Sequence, residues 1–155
     1  MLAGGFGSRL RSVVSEVPKP LAPVCGEPFL KYFIKNCISQ DIDDVVFLIH
    51  YHANQIQELI DDIRESETAQ NMQLRTIEET EPLGTGGAIF NAIEQLNLRD
   101  SFLVMNADTW IGSGFKLIND AGAPSVAAVE IKNCDRYGSL EIKDGLVTNF
   151  KEKKI

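Results

Sequence analysis

Val45-Val46-Phe47-Leu48-Ile49 is an unbroken apolar run of strand length, suited to a β-strand covered on both faces. The pattern on either side changes to helical spacing. Upstream, Leu30, Phe33, Ile34, Cys37 and Ile38 fall on one helix face, and downstream Ile56, Leu59, Ile60 and Ile63 mark a second helix. Residues 74–78 read as a strand, and Ile89, Ala92, Ile93 and Leu96 as a third helix. Ser101-Phe102-Leu103-Val104-Met105 predicts a second deeply buried strand, and residues 126–131 another. Residues 139–142 and 146–150 flank Lys143-Asp144-Gly145, the signal of a hairpin. This βαβαβ alternation predicts an α/β fold with a mostly parallel sheet. Ligands of such sheets sit at the carboxyl ends of the strands, so the chemistry is sought just after each strand.

Composition narrows the function classes. The 155 residues are 44% hydrophobic and 24% charged, and fit a single domain over 1–155. A net charge of -7 argues against a nucleic-acid partner, which needs a broad basic surface. No apolar run approaches the roughly 18 residues of a membrane span. Met1-Leu2-Ala3-Gly4-Gly5 carries no basic n-region, and Cys25, Cys37 and Cys134 fit neither a disulfide framework nor a zinc pattern. The expectation is a cytoplasmic protein with reduced thiols and no membrane partner. Both ends read as cut: only Met1 and Leu2 stand where a complete first strand is expected, and the chain stops just after a charged cluster.

Gly4-Gly5-Phe6-Gly7-Ser8-Arg9-Leu10 is the first chemical signal. Glycines let backbone N–H groups approach an anion, and Arg9 adds a planar cationic fork for phosphate oxygens. Leu10 stands where a dinucleotide fingerprint needs its third glycine, and no Gly-Lys-Ser/Thr follows as in a Walker A loop. The second signal, Pro18-Lys19-Pro20, stiffens the backbone around a lysine able to act as a phosphate-binding point charge. Taken alone, this tripeptide is an ordinary loop lysine between turn prolines.

Together with Leu21 and Gly26-Glu27-Pro28-Phe29, these segments resemble the opening signature of the sugar-phosphate nucleotidylyltransferases, the bacterial D-glycero-D-manno-heptose 1-phosphate guanylyltransferases in particular. The resemblance runs from residue 2 to residue 154. It implies a Rossmann-like three-layer α/β/α domain, the nucleotide-diphospho-sugar transferase fold, here incomplete. It also implies nucleoside triphosphate and sugar 1-phosphate as substrates, Mg²⁺ as cofactor, and leaves open a homodimer in the longer protein. Arg9 and Lys19 would be catalytic, gripping the triphosphate. Leu2, Ala3, Gly4, Gly5, Gly7 and Ser8 would line the nucleotide.

The base-reading segment implied by the resemblance is Glu78 to Ala88, with Glu79, Pro82, Gly84, Thr85 and Gly86 against the nucleobase. Glu79 falls where relatives that bind thymidine or uridine nucleotides often carry glutamine. Adjacent N1–H and N2–H donors of guanine suit a carboxylate, so Glu79 points to GTP. A shift of one or two residues makes Glu78 or Glu81 the reader instead.

Asn106-Ala107-Asp108 follows a predicted strand, and the resemblance makes Asp108 the Mg²⁺ ligand, with Ala107 in place of the usual glycine. A second acidic ligand would lie beyond residue 155. On the sugar side the resemblance assigns Asn106, Gly138, Glu152 and Lys153, although Lys151-Glu152-Lys153-Lys154 alone reads as an exposed charge run. His50 and His52 read as polar strand-end residues, and Trp110 and Phe115 as core or pocket wall.

The implied reaction is an in-line attack of a sugar 1-phosphate oxygen on the α-phosphorus of GTP, releasing pyrophosphate. The same chemistry on mannose 1-phosphate, or with UTP on N-acetylmuramate 1-phosphate, stays open. So does a non-catalytic nucleotide-binding module or inactive fragment. A nicotinamide-dependent oxidoreductase is disfavoured by Leu10 and by the lack of an acidic residue ending the strand before His50.

Overall fold

The computed structural model describes residues 1–5, 17–66, 69–133 and 137–152. After a short 3-10 turn at Lys19–Leu21 come strands β1 (Pro23–Val24) and β2 (Glu27–Pro28), helix α1 (Phe29–Ser39), β3 (Asp44–Ile49) and α2 (Ala53–Glu65). Then follow β4 (Gln73–Glu78), α3 (Gly84–Leu96), α4 (Phe115–Asp120), β5 (Ser139–Lys143) and β6 (Leu146–Lys151).

The run that opens the sequence reading is β3, and it is covered on both faces. Val45, Phe47 and Ile49 enter one apolar cluster with Leu30, Phe33 and Ile34 of α1 and Ile56, Ile60 and Ile63 of α2. Leu48 enters a second cluster with Ile77, Ala88 and Ala92, under α3. The period of two along β3 sorts its side chains between these layers. Each fully buried Phe or Ile contributes about 1.5–3 kcal/mol relative to exposure.

Local chemistry ends the helices where they end. Ser66 closes α2, its Oγ donating to Ile63 O at 2.7 Å, and Arg64 Nε donates to Leu74 O at 2.7 Å, tying that end to β4. Asn97 adopts a left-handed φ of 49° after α3, and Leu98 N–H donates back to Ile93 O at 3.1 Å.

β3 and β4 pair in parallel, Val45 opposite Leu74 and Ile49 opposite Glu78. Leu2 extends this sheet through parallel bridges to Leu48 and Asn106. Its neighbours complete the ladder: Leu48 N–H donates to Met1 O at 2.8 Å, Ala3 N–H to Leu48 O at 2.9 Å, Leu2 N–H to Met105 O at 2.8 Å and Ala107 N–H to Leu2 O at 2.9 Å. Across the sheet the order is therefore 105–107, 1–3, β3, β4, all parallel. Helices α1 and α2 cover one face and α3 the other, because the chain reverses its direction of advance after β4. That doubly wound topology places a switch point between Ala3 and Asn106.

Two expected strands are corrected. Residues 101–105 form no regular strand, and only the stretch around Asn106 joins the sheet. Residues 126–131 are likewise unladdered. The physical reason is missing pairing: among the described residues Phe102, Leu103 and Val104 have no strand laddered beside them, and they are exposed. Val126, Val129 and Ile131 are exposed as well. The hairpin forms as expected, β5 antiparallel to β6 around Asp144 and Gly145, both at positive φ.

Candidate functional site

All four parallel segments end on the same side of the sheet, so Gly4-Gly5, His50, Glu79 and Asp108 share one rim. The switch point lies between the first and last of these.

Lys19 reaches this rim on a stiff base. Pro18 is fully buried and Pro20 is buried, while Leu21 N–H donates to Pro18 O at 2.8 Å and Ala22 N–H to Lys19 O at 3.1 Å. From that turn Lys19 Nζ donates to the Asp108 carboxylate. The side chains are 45% and 27% exposed, so the pair's net worth to stability is about 0.5 kcal/mol, within the range of solvated ion pairs. Asp108 sits on a short turn, with Ala107 buried beneath it and Thr109 N–H donating to Asn106 O at 3.2 Å. Asn106 itself is exposed.

Gly4 is a close-approach glycine. A methyl group there would lie 3.1 Å from His50 Cβ and 3.2 Å from His50 N. Gly5, in contrast, has no described residue within 4 Å of where a Cβ would stand. Leu2 and Ala3 are held in the sheet as described above, with Ala3 buried. Gly7, Ser8, Arg9 and Lys153 lie outside the described residues.

Glu79 is buried, at 7% exposure. Its N–H continues the ladder to Ile49 O at 2.8 Å, and its Oε2 accepts the Leu83 N–H at 3.1 Å. The carboxylate thus braces the turn that delivers the chain into α3. Pro82, Gly84, Thr85 and Gly86 are exposed along that turn, and Gly84 and Gly86 have open space at the Cβ position. Gly87 is the tight glycine instead, 2.9 Å from Leu83 Cβ. Leu83, at the N-cap position of α3, supplies no side-chain cap, so N–H groups of the first turn lack an intrahelical partner. Glu78 and Glu81 are exposed.

Gly138 and Glu152 are exposed at the β5–β6 hairpin, and the structure brings neither into hydrogen-bond contact with Lys19 or Asp108. Gly138 lies under the Phe150 ring, where a methyl group would be 2.6 Å from Cζ. Trp110 is half exposed and meets Phe29 edge-on at 6.2 Å, whereas Phe115 is core. Among the described residues no group of three His, Cys, Asp or Glu is gathered for a metal. Burial pushes the Cys37 thiol up to about 12, which removes it as a nucleophile.

Sequence reasoning missed two features. His50 touches both Gly4 and Glu79, and no spacing signal announces it. Asn36 of α1 and Gln40, just past its end, pin the 111–115 segment: Asn36 Nδ2 donates to Ile111 O at 2.6 Å and Phe115 N–H donates to Gln40 Oε1 at 3.2 Å. A buried polar residue, Asn36, on an otherwise apolar helix face was the available clue.

Parallel strands and a lysine–aspartate pair at the switch point define a doubly wound α/β protein with a charged site at the carboxyl ends of its strands. The chain belongs to the nucleotidyl transferase family, which matches residues 1–153. It is 35% identical over 158 residues to a D-glycero-alpha-D-manno-heptose 1-phosphate guanylyltransferase of Aneurinibacillus thermoaerophilus, covering 99% of this chain and 66% of that protein. The corresponding Campylobacter jejuni enzyme is 31% identical over 155 residues, with 99% and 67% covered. The crystal structure of HddC from Yersinia pseudotuberculosis complexed with GMP-PN superposes with a TM-score of 0.82 at 34% identity, over 98% of this chain and 67% of that one. The chain thus spans about two thirds of the length of these relatives. No helix among the described residues is long and apolar enough to cross a membrane.

Proposed function

We propose that this chain supplies the nucleotide-handling part of a sugar 1-phosphate guanylyltransferase, with GTP and a heptose 1-phosphate as substrates. The observation that carries the reading is the Lys19–Asp108 pair at the switch point, across the sheet from Gly4-Gly5. A sugar 1-phosphate oxygen attacks the α-phosphorus of GTP, the bond to the bridging oxygen breaks, and pyrophosphate leaves with the electron pair. The nucleophile is already anionic, so no protein base is needed.

Lys19 neutralises phosphate charge, and Arg9 does so from the glycine loop. Gly4, Gly5, Gly7 and Ser8 offer backbone N–H groups to the phosphates, beside Leu2 and Ala3. The donor chemistry fits Mg²⁺: Asp108 is a single accessible carboxylate already facing a cation, and magnesium takes one or two carboxylates plus phosphate oxygens. When bound, the metal supplies charge neutralisation at the phosphates. Glu79 reads guanine. A carboxylate has about four lone-pair sites, so its bond to Leu83 N–H leaves acceptors for N1–H and N2–H. Pro82, Gly84, Thr85 and Gly86 form the wall of that subsite. Asn106, Gly138, Glu152 and Lys153 serve the sugar phosphate. We place the chain, as one domain over 1–155, in the cytoplasm, with a homodimer left open for the longer protein.

The test is pyrophosphate release with Mg²⁺, pairing GTP or UTP with heptose, mannose or N-acetylmuramate 1-phosphate, beside calorimetry of GTP and UTP. GTP-dependent release with the heptose phosphate, reduced in Glu79→Gln, supports the reading. A folded sample that binds neither nucleotide refutes it.

A further inference from the structure

His50 directly follows β3 at the rim and contacts three segments at once. The β3–β4 ladder runs one step past its strands, with Glu79 N–H on Ile49 O at 2.8 Å. The His50 ring then takes the next step, its Nδ1 lying 2.8 Å from Glu79 O. A carbonyl oxygen only accepts, so Nδ1 carries the hydrogen. On its other side His50 meets the glycine loop: a methyl group on Gly4 would be 3.1 Å from His50 Cβ. Its own carbonyl accepts Ala53 N–H at 3.1 Å, which anchors the residue at the start of α2. Glu79 in turn holds Leu83 N–H at 3.1 Å, and α3 begins at Gly84.

A continuous contact path therefore runs from Gly4 through His50, Glu79 and Leu83 to the uncapped end of α3. Its two ends are the backbone assigned to the phosphates and the turn assigned to the base. We infer that His50 is a positioning residue that sets the separation of these two half-sites, and so the affinity for a complete nucleoside triphosphate. The inference deepens the GTP reading above and rests on it. A ligand that engages one half-site alone does not feel that separation, whereas GTP spans both.

Two substitutions separate this role from general packing. In His50→Asn the side-chain amide nitrogen stands close to the position of Nδ1, and in His50→Gln it stands closer to Nε2. Both keep a polar amide at a half-buried site. GTP with Mg²⁺ and inorganic tripolyphosphate are titrated by calorimetry into the full chain and both variants, with melting curves alongside. His50→Asn keeps the GTP Kd within about threefold of wild type, while His50→Gln raises it about tenfold, the scale of one well-placed hydrogen bond. Tripolyphosphate binding moves by less than about threefold in either variant, a shift too small to report a lost hydrogen bond. GTP binding unchanged in His50→Gln overturns the inference, as does equal weakening of GTP and tripolyphosphate. Failure of the wild-type chain to bind GTP removes the guanylyltransferase reading and this inference together, and is visible before any variant is compared.

Discussion

Lys19 donates to the carboxylate of Asp108 across 89 residues of sequence, and this ion pair is the centre of the rim. In the absence of ligand each charge is neutralised by the other. Under the proposed function a magnesium nucleotide would give both a new partner, Lys19 a phosphate and Asp108 the metal.

Lys19→Ala should therefore separate stability from chemistry. Urea unfolding should shift by less than about 1 kcal/mol, because the pair is half exposed. Turnover should fall by about a hundredfold or more, the scale of removing one preorganised charge from the transition state. Equal turnover with and without the lysine would remove Lys19 from the mechanism.

Gly4 and Gly5 should respond in opposite ways. Alanine at Gly4 presses on His50 Cβ and backbone at 3.1 and 3.2 Å, so Gly4→Ala should cost about 1–2 kcal/mol in urea melts. Gly5→Ala meets nothing within 4 Å among the described residues and should leave stability within about 0.5 kcal/mol. Its effect should appear instead in nucleotide binding.

In a chain that begins at Met1 with a free amine, the contribution of that amine to stability should rise with pH between about 6 and 8. Burial holds the Met1 amine down at about 6, from an ordinary 8.0, while it donates to Val46 O at 2.9 Å. Over that window the unfolded chain binds more protons than the folded one, so the contribution is complete above pH 8 and is lost as pH falls towards 6. The swing is about 2 kcal/mol, from a shift of roughly two units. Urea melts at both ends of the window check it, and a chain with a blocked amine should lose this part of the slope.

Cys25 and Cys37 should differ in reactivity. Cys25 is exposed, while Cys37 is buried with its thiol pushed up to about 12. Brief alkylation followed by peptide mapping should label Cys25 in the folded chain and Cys37 only after unfolding.

The central α/β framework was legible because its signals are local. Ile56, Leu59, Ile60 and Ile63 share a face of α2 whatever lies elsewhere, since a helix repeats every 3.6 residues. The β3 run also announced a strand covered on both sides. Residues 101–105 carried the same apolar signal and did not become a strand, because a ladder needs a neighbour and composition does not supply one. At the site, Gly4-Gly5, Lys19, Glu79 and Asp108 were nameable from motif order. The bracing of Leu83 by Glu79 was not, since a carboxylate reads alike whether it faces a base or a backbone N–H.

By itself the sequence determined which residues are apolar at helical or strand spacing, and so the elements around β3 and their α/β alternation. It also placed glycines and charges just past those elements. Only the tertiary structure decided that the chain doubles back after β4, setting residues 1–3 between β3 and 105–107. That crossing brings Lys19 to Asp108 and lays Gly4 against His50. The physical reason is range: periodicity arises from backbone geometry within a few residues, whereas these contacts depend on how packed layers share the faces of one sheet.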